Sequence, residues 1–442
     1  MARILSLQSN GTISTESDID YAARIARMKE RRRGPVTSEL ELEREYSRLD
    51  ADVNDIEQLQ NIGSSLESLS ETVVALAKNN QLDVAEIKQF EQLASVIASP
   101  AAADPIKLTT TDGQVSIESL TNVVRDIYQS ITQSIRRVTN NTTAFVNRLR
   151  PTGAILRKDI KEVRDALMLY RDRVEIAIVP TDAMATLVSA DGEYESVQLA
   201  RSMTLLLDHT SYAVNELAID TSAQAKAFSD WLAKLDFSSD DAYATTFSEV
   251  VKVPMVSPPG TWTTIENAGE SRTQMAKISP VAFTGHQFLT YEPKTNPITP
   301  AEWLSSAVFE TAFNYGTLGG GEILPSEDVF VVADVASVIR LLDQSLELLD
   351  LHDVYSRTSA VTTKYLLCTI ATVDDISTAR LAEASLLGEG NQASLALAIQ
   401  AVNAVLMRTQ RPYSDVLYET IRVINGVVSL ASSVKTAVEK AE

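Results

Sequence analysis

Cysteine is almost missing from this sequence: Cys368 is the only one in 442 residues. That excludes a disulfide scaffold and a cysteine-based zinc or iron–sulfur site. Histidine is nearly as scarce, with His209, His286 and His352 far apart, which leaves little for imidazole-based metal binding or acid–base chemistry. Glycine (16) and proline (14) are few, against collagen-like, low-complexity and loop-rich β-sandwich chains. Aromatic residues make up only 6%, so the core must be built from Ala, Val, Ile and Leu, and the aromatic platforms of a glycosidase cleft lack material. Long apolar runs are missing too. The N-terminal Ile4-Leu5-Ser6-Leu7 stops at Gln8-Ser9-Asn10-Gly11, too short for a signal-peptide core. Nothing approaches the roughly 18 consecutive apolar residues of a spanning helix. The reading is a soluble chain made in the cytoplasm, with no membrane partner. Positive charge is in deficit: 39 Lys and Arg stand against 59 Asp and Glu, a net −20. Phosphates need cations, so this balance opposes a generic nucleic-acid binder.

Chemical motifs are missing as well. No HExxH, EF-hand or GxSxG spacing occurs. The one Gly-rich stretch, Gly316–Gly321, lacks the Lys-Ser/Thr of a phosphate loop and reads as a hinge or tight turn. Cys368 sits among Leu366, Leu367 and Ile370, where an apolar setting would make it inert. Asp240-Asp241 and Asp374-Asp375 read as turn or cap residues. No catalytic residue, metal or cofactor is expected.

What is present is helical periodicity. Ile56, Leu59, Ile62, Leu66, Leu69, Val73 and Leu76 recur at three- and four-residue steps, as do Leu120, Val123, Val124, Ile127, Ile131, Ile135 and Val138, which predicts amphipathic helices. The fold class is mainly α: a long-helix bundle with a smaller β-rich segment at 243–295 and a short β-hairpin at 106–117. The hairpin rests on Asp112-Gly113 between alternating residues. The prolines, glycines and charge shifts divide the chain into a charged N-terminal arm (1–50), an acidic helical segment (51–100), a hairpin plus long helices (101–242), a β-rich insertion (243–325) and a C-terminal helical bundle (326–442). Pro151-Thr152-Gly153 predicts a break between helices 118–149 and 155–178. Strands are expected around Phe247–Val256, Gly260–Ile265, Gln274–Val281 and Gln287–Tyr291. Thr299 is a plausible helix cap.

Charge is unevenly spread. Residues 125–175 carry eleven cations and six anions, a local +5, whereas residues 301–400 carry fourteen anions and four cations, a local −10. Arg136, Arg137, Arg148, Arg150, Arg157, Lys158 and Lys161 form a strip that reads either as an ordinary exposed helix face, with pairs such as Lys158–Glu162, or as a surface facing a polyanion or an acidic neighbouring subunit.

A charged N-terminal segment, a Ser-Leu-Glu-rich helix (Gly63-Ser64-Ser65-Leu66-Glu67-Ser68-Leu69-Ser70-Glu71), a Thr-rich hairpin and long Ala/Val/Leu/Ser helices follow one another. This organisation resembles virion structural proteins of large tailed bacteriophages, in particular internal head (inner body or core) proteins. The resemblance is one of style over most of the chain, without a diagnostic motif. It implies a non-enzymatic protein of the capsid interior, packed with copies of itself and other virion proteins and touching the packaged DNA weakly. It also implies maturation by a prohead protease that cuts after Glu in small-x-Glu. Ser65-Leu66-Glu67 and Ser116-Ile117-Glu118 match, making Glu67 and Glu118 candidate cleavage sites and residues 51–100 a candidate propeptide. Ser345-Leu346-Glu347 matches as well, which shows how unspecific three residues are. Two alternatives stand beside it: a tail, neck or baseplate component in a symmetric ring, and an enzyme whose carboxylate site gathers around His286, Glu292 and Glu302.

Overall fold

Three long helices carry the fold: α1 (Glu39–Lys78), α3 (Glu118–Met168) and α7 (Val335–Glu383), of 40, 51 and 49 residues. At about 1.5 Å per residue they are about 60–76 Å long. A computed structural model describes residues 6–7, 13–14, 39–78, 84–98, 109–111, 114–116, 118–171, 176–180, 187, 196–253, 263–265, 274–283, 286–293, 299–300, 304, 314–317, 330–383, 389–407 and 410–441.

Each long helix passes through two hydrophobic cores. The first takes Leu42 and Leu49 from α1, Phe145, Leu149 and Ile160 from α3, and Val338, Leu342 and Leu349 from α7. The second takes Ile56 and Leu66, then Ile127, Ile131 and Ile135, then Leu367, Ile370 and Val373. The order of these residues makes α1 and α7 run opposite to α3. The periodic apolar face read from Ile127 to Val138 is therefore the face that enters the second core.

Shorter helices complete the cores. After α2 (Val84–Ala98) and α3 come α4 (Ser196–Tyr212) and α5 (Ala218–Leu232), joined by a π-helical turn at Ala213–Leu217. α4 gives Met203 and Leu206 to the first core, and α5 gives Phe228 and Trp231 to the second. α6 (Asp240–Phe247) runs into a 3₁₀ turn at Ser248–Lys252. α8 (Glu389–Met407) lines the second core, and α9 (Gln410–Ala441) fills the first with Val416, Ile421, Ile424, Val427 and Val434. Among the described residues, α9 contains the one stretch long and apolar enough to cross a membrane, Ser414–Lys440. Half of its most apolar window is buried in the fold.

The strands are short. β1 (Ser6–Leu7) pairs with β2 (Ile13–Ser14), and β3 (Thr109–Thr111) with β4 (Gln114–Ser116), the expected Asp112-Gly113 hairpin. β5 (Ile176–Pro180), β6 (Thr263–Ile265), β7 (Gln274–Ile278), β8 (His286–Pro293), β9 (Asn314–Thr317) and β10 (Phe330–Asp334) follow. β6-β7-β8-β9 form an antiparallel sheet in that order, and β5 pairs only with β10.

The chain is mainly helical, as its periodicity predicts. Several expectations need correction. No break occurs at Pro151, which lies inside α3. Its ring is exposed while the flanking Leu149 and Leu156 are buried, so packing on both sides outweighs the lost backbone donor. The strand expected at Phe247–Val256 is helical up to Lys252. Ser239 caps α6 by accepting from the Ala242 amide at 3.2 Å, with Asp240 and Asp241 in the first turn. That capping chemistry outweighs the β-propensity of the valines. The arm drawn at 1–50 overlaps α1, which begins at Glu39 and buries Leu42 and Leu49. The helix expected up to residue 178 ends at Met168, and Ile176–Pro180 is a strand. Cys368 is exposed, since on a helix it points away from its buried neighbours Leu367 and Ile370. Gly316 lies in β9, while residues 318–321 fall outside the described residues, as does most of the helix expected after Thr299.

Candidate functional site

Part of the basic strip of α3 is held by the chain's own acidic helices. Arg148 is buried, with 5% of its side chain exposed, and its guanidinium reaches Glu45 of α1 at 2.6 Å and Glu41 at 3.1 Å. Arg157 grips two carboxylates one turn apart on α7, Asp350 at 2.6 Å and Asp353 at 2.9 Å. Arg164 Nε donates to Asp343 at 2.5 Å, and Arg136 pairs with Asp374 at 2.9 Å. Four arginines of α3 are therefore paired with acidic helices of the same molecule. Arg136, Arg148 and Arg157 face carboxylates of the same chain. Arg137, Lys158 and Lys161 are exposed, with Lys158 near Glu162 at 3.5 Å. The side chain of Arg150 lies outside the described residues.

Glu67 lies inside α1 and Glu118 opens α3. A protease needs an extended substrate, so α1 would have to unwind around Glu67. Cutting at either residue would separate Leu42, Leu49, Ile56 and the partners of Arg148 from the rest of the chain.

The densest polar chemistry lies where the sheet meets α9. The chain turns between β7 and β8 on paired bonds: the Ser279 amide donates to the Phe288 carbonyl at 3.0 Å, and the Phe288 amide donates to Ser279 Oγ at 2.8 Å. This turn presents His286 to α9. Its Nδ1 stands 3.8 Å from Oε1 of Glu419, a carboxylate only 1% exposed. Arg422, one turn on, holds that carboxylate with two bonds, at 2.8 Å and 3.1 Å. Tyr315 of β9 lies beside His286, with ring centroids 5.7 Å apart. His209 of α4 meets Phe288 and Tyr315 edge-on at 5.3 Å and 5.6 Å.

Electrostatics make this a quiet cluster. Burial drives the His209 imidazole down to about 4, and the Pro280 carbonyl offsets this only in part, so the ring is neutral near pH 7. Burial pushes the Tyr315 phenol well up, with Glu419 adding to the effect. His352 repeats the pattern on α7. It is fully buried, with no hydrogen-bond partner for either ring nitrogen among the described residues, and burial lowers it to about 4 against the opposing pull of Asp353.

The carboxylate pocket expected around His286, Glu292 and Glu302 is not assembled from the first two. Both lie on β8, where six residues at about 3.3 Å each place them about 20 Å apart. Glu302 lies outside the described residues. Among the described residues, no group of three His, Cys, Asp or Glu is arranged to hold a metal ion. The Glu419–Arg422 pair was overlooked in the sequence. Its signal is two opposite charges at i,i+3 inside the apolar run from Val416 to Val428. No family model, no curated protein and no solved structure matches this chain.

Proposed function

We propose that the chain is a non-enzymatic structural protein of a virion, an internal head protein of a large tailed bacteriophage that packs with copies of itself and other virion proteins near the genome. The observation that supports this best is the use made of its charges. Arg136, Arg148, Arg157 and Arg164 lock one long helix to two others, so the chemistry is spent on rigid rods. A body of rods with exposed acidic side chains keeps its distance from packaged DNA and touches it sparsely, through exposed cations such as Arg137. A component built for packing needs this stiffness; an enzyme needs polar groups converging on a substrate.

The test is mass spectrometry of particles purified from the source that encodes the chain. The expected result is the protein in many copies within particles. Its absence from particles would end the proposal. The same spectra read the N-terminus. Because α1 supplies both cores and the partners of Arg148, the particle-borne chain is expected to retain α1. A start at Ser68 or Ser119 would overturn that expectation and show that the chain is cut after Glu67 or Glu118. DNA binding is expected to be weak and to vanish with added salt, as measured by fluorescence anisotropy.

A further inference from the structure

Among the described residues, five of the nine exposed large apolar side chains fall between positions 155 and 178: Ile155, Met168, Leu169, Ile176 and Ile178 are 40–72% exposed. Ile155 and Met168 lie on the outer face of the end of α3, and Leu169 opens the turn that follows it. That face, with the first residue of the turn, reads Ala154, Ile155, Lys158, Lys161, Glu162, Asp165, Met168 and Leu169, all exposed, at the three- and four-residue spacing of a coiled-coil seam. Read backwards, the row complements itself. With a two-fold axis crossing between Lys161 and Glu162, Lys161 meets Glu162 of a second copy and Lys158 meets Asp165. Ile155 then meets Met168, and Ala154 meets Leu169. Every charge finds its opposite and every apolar residue an apolar one.

We infer that this face of α3 is a self-association seam, on which a second copy of the chain packs antiparallel through Lys158–Asp165 and Lys161–Glu162 contacts flanked by apolar ends. Charge complementarity selects the occupant. A chain of net −20 repels its own copies over most of its surface, and here it presents two cations and two anions in self-matching order. An isologous contact needs one patch that complements itself. Among the described residues of the single chain these charges have loose local partners, Lys158–Glu162 at 3.5 Å and Arg164–Asp165 at 3.7 Å, each easily exchanged. The seam is about 22 Å long. Further along the chain, β5 also exposes Ile176 and Ile178. A standing dimer buries about 800 Å² per partner. The helix face alone is smaller, so pairing is concentration-dependent and becomes effective where copies are crowded. The inference draws on the structural proposal for that crowding, but its test is separate.

Sedimentation equilibrium of the full chain at low salt, from micromolar to near-millimolar concentration, is the experiment. The average mass is expected to rise towards two chains. Lys158→Asp and Asp165→Lys should each lower the association constant at least several-fold, and the double variant should restore it. All the altered side chains are exposed, and circular dichroism would register any loss of helix. In mixtures of isotopically light and heavy copies, a carbodiimide should join Lys158 of one copy to Asp165 of the other. A mass that stays at one chain, or a dimer indifferent to both single changes, overturns the seam. Either result leaves the virion proposal to its own test.

Discussion

Arg148 shows what a buried charge demands. Its guanidinium is out of water and depends on Glu41 and Glu45, so its burial holds α1 and α3 in register. Arg148→Ala is expected to cost about 3–5 kcal/mol of stability in urea unfolding. Arg136→Ala removes a half-exposed pair and should cost no more than about 1 kcal/mol. A result in which the two variants unfold alike would contradict the burial argument. The two buried histidines make a second prediction. Their folded values sit near 4, below the ordinary 6.5, so between these pH values the unfolded chain binds more protons than the folded one. Stability is then fully present above pH 6.5 and falls as pH drops towards 4, by about 1.4 kcal/mol per unit for each ring. Denaturation midpoints measured across that window should show the slope, and His352→Leu should remove about half of it.

Elements were legible where one face repeats and obscure where local rules met tertiary packing. The Ile127–Val138 face announced its helix, and Asp112-Gly113 its hairpin. Pro151 misled because the rule against interior proline is local, whereas Leu149, Leu156 and Ile160 are held by helices far away in sequence. The proline still removes one backbone bond. Pro151→Ala is therefore expected to stabilise the protein, by as much as about 3 kcal/mol, as read from thermal or urea midpoints. β5 and β10 were invisible for a related reason. They pair Ile176–Pro180 with Phe330–Asp334, and no short-range pattern announces a partner so distant. Of the candidate site, the cations of α3 were evident, but their partners were not. Charge counts showed an acidic region and a basic one, and only the fold shows them to be neighbours. Cys368 was misjudged because apolar sequence neighbours on a helix point in other directions.

At the scale of the whole molecule, the five sequence segments do not act as five parts. α1 belongs to both cores, so a chain beginning at Ser119 should be insoluble or molten, as seen by loss of near-ultraviolet circular dichroism on expression of that fragment. A soluble, well-ordered fragment would show that α1 is dispensable. Chains of this length commonly unfold piecemeal, domain by domain. Here α1, α3 and α7 are shared struts: melting one core cuts the same helices that brace the other. The expected outcome is a single calorimetric transition, and amide exchange in the middle of α3 that proceeds only when the entire protein opens.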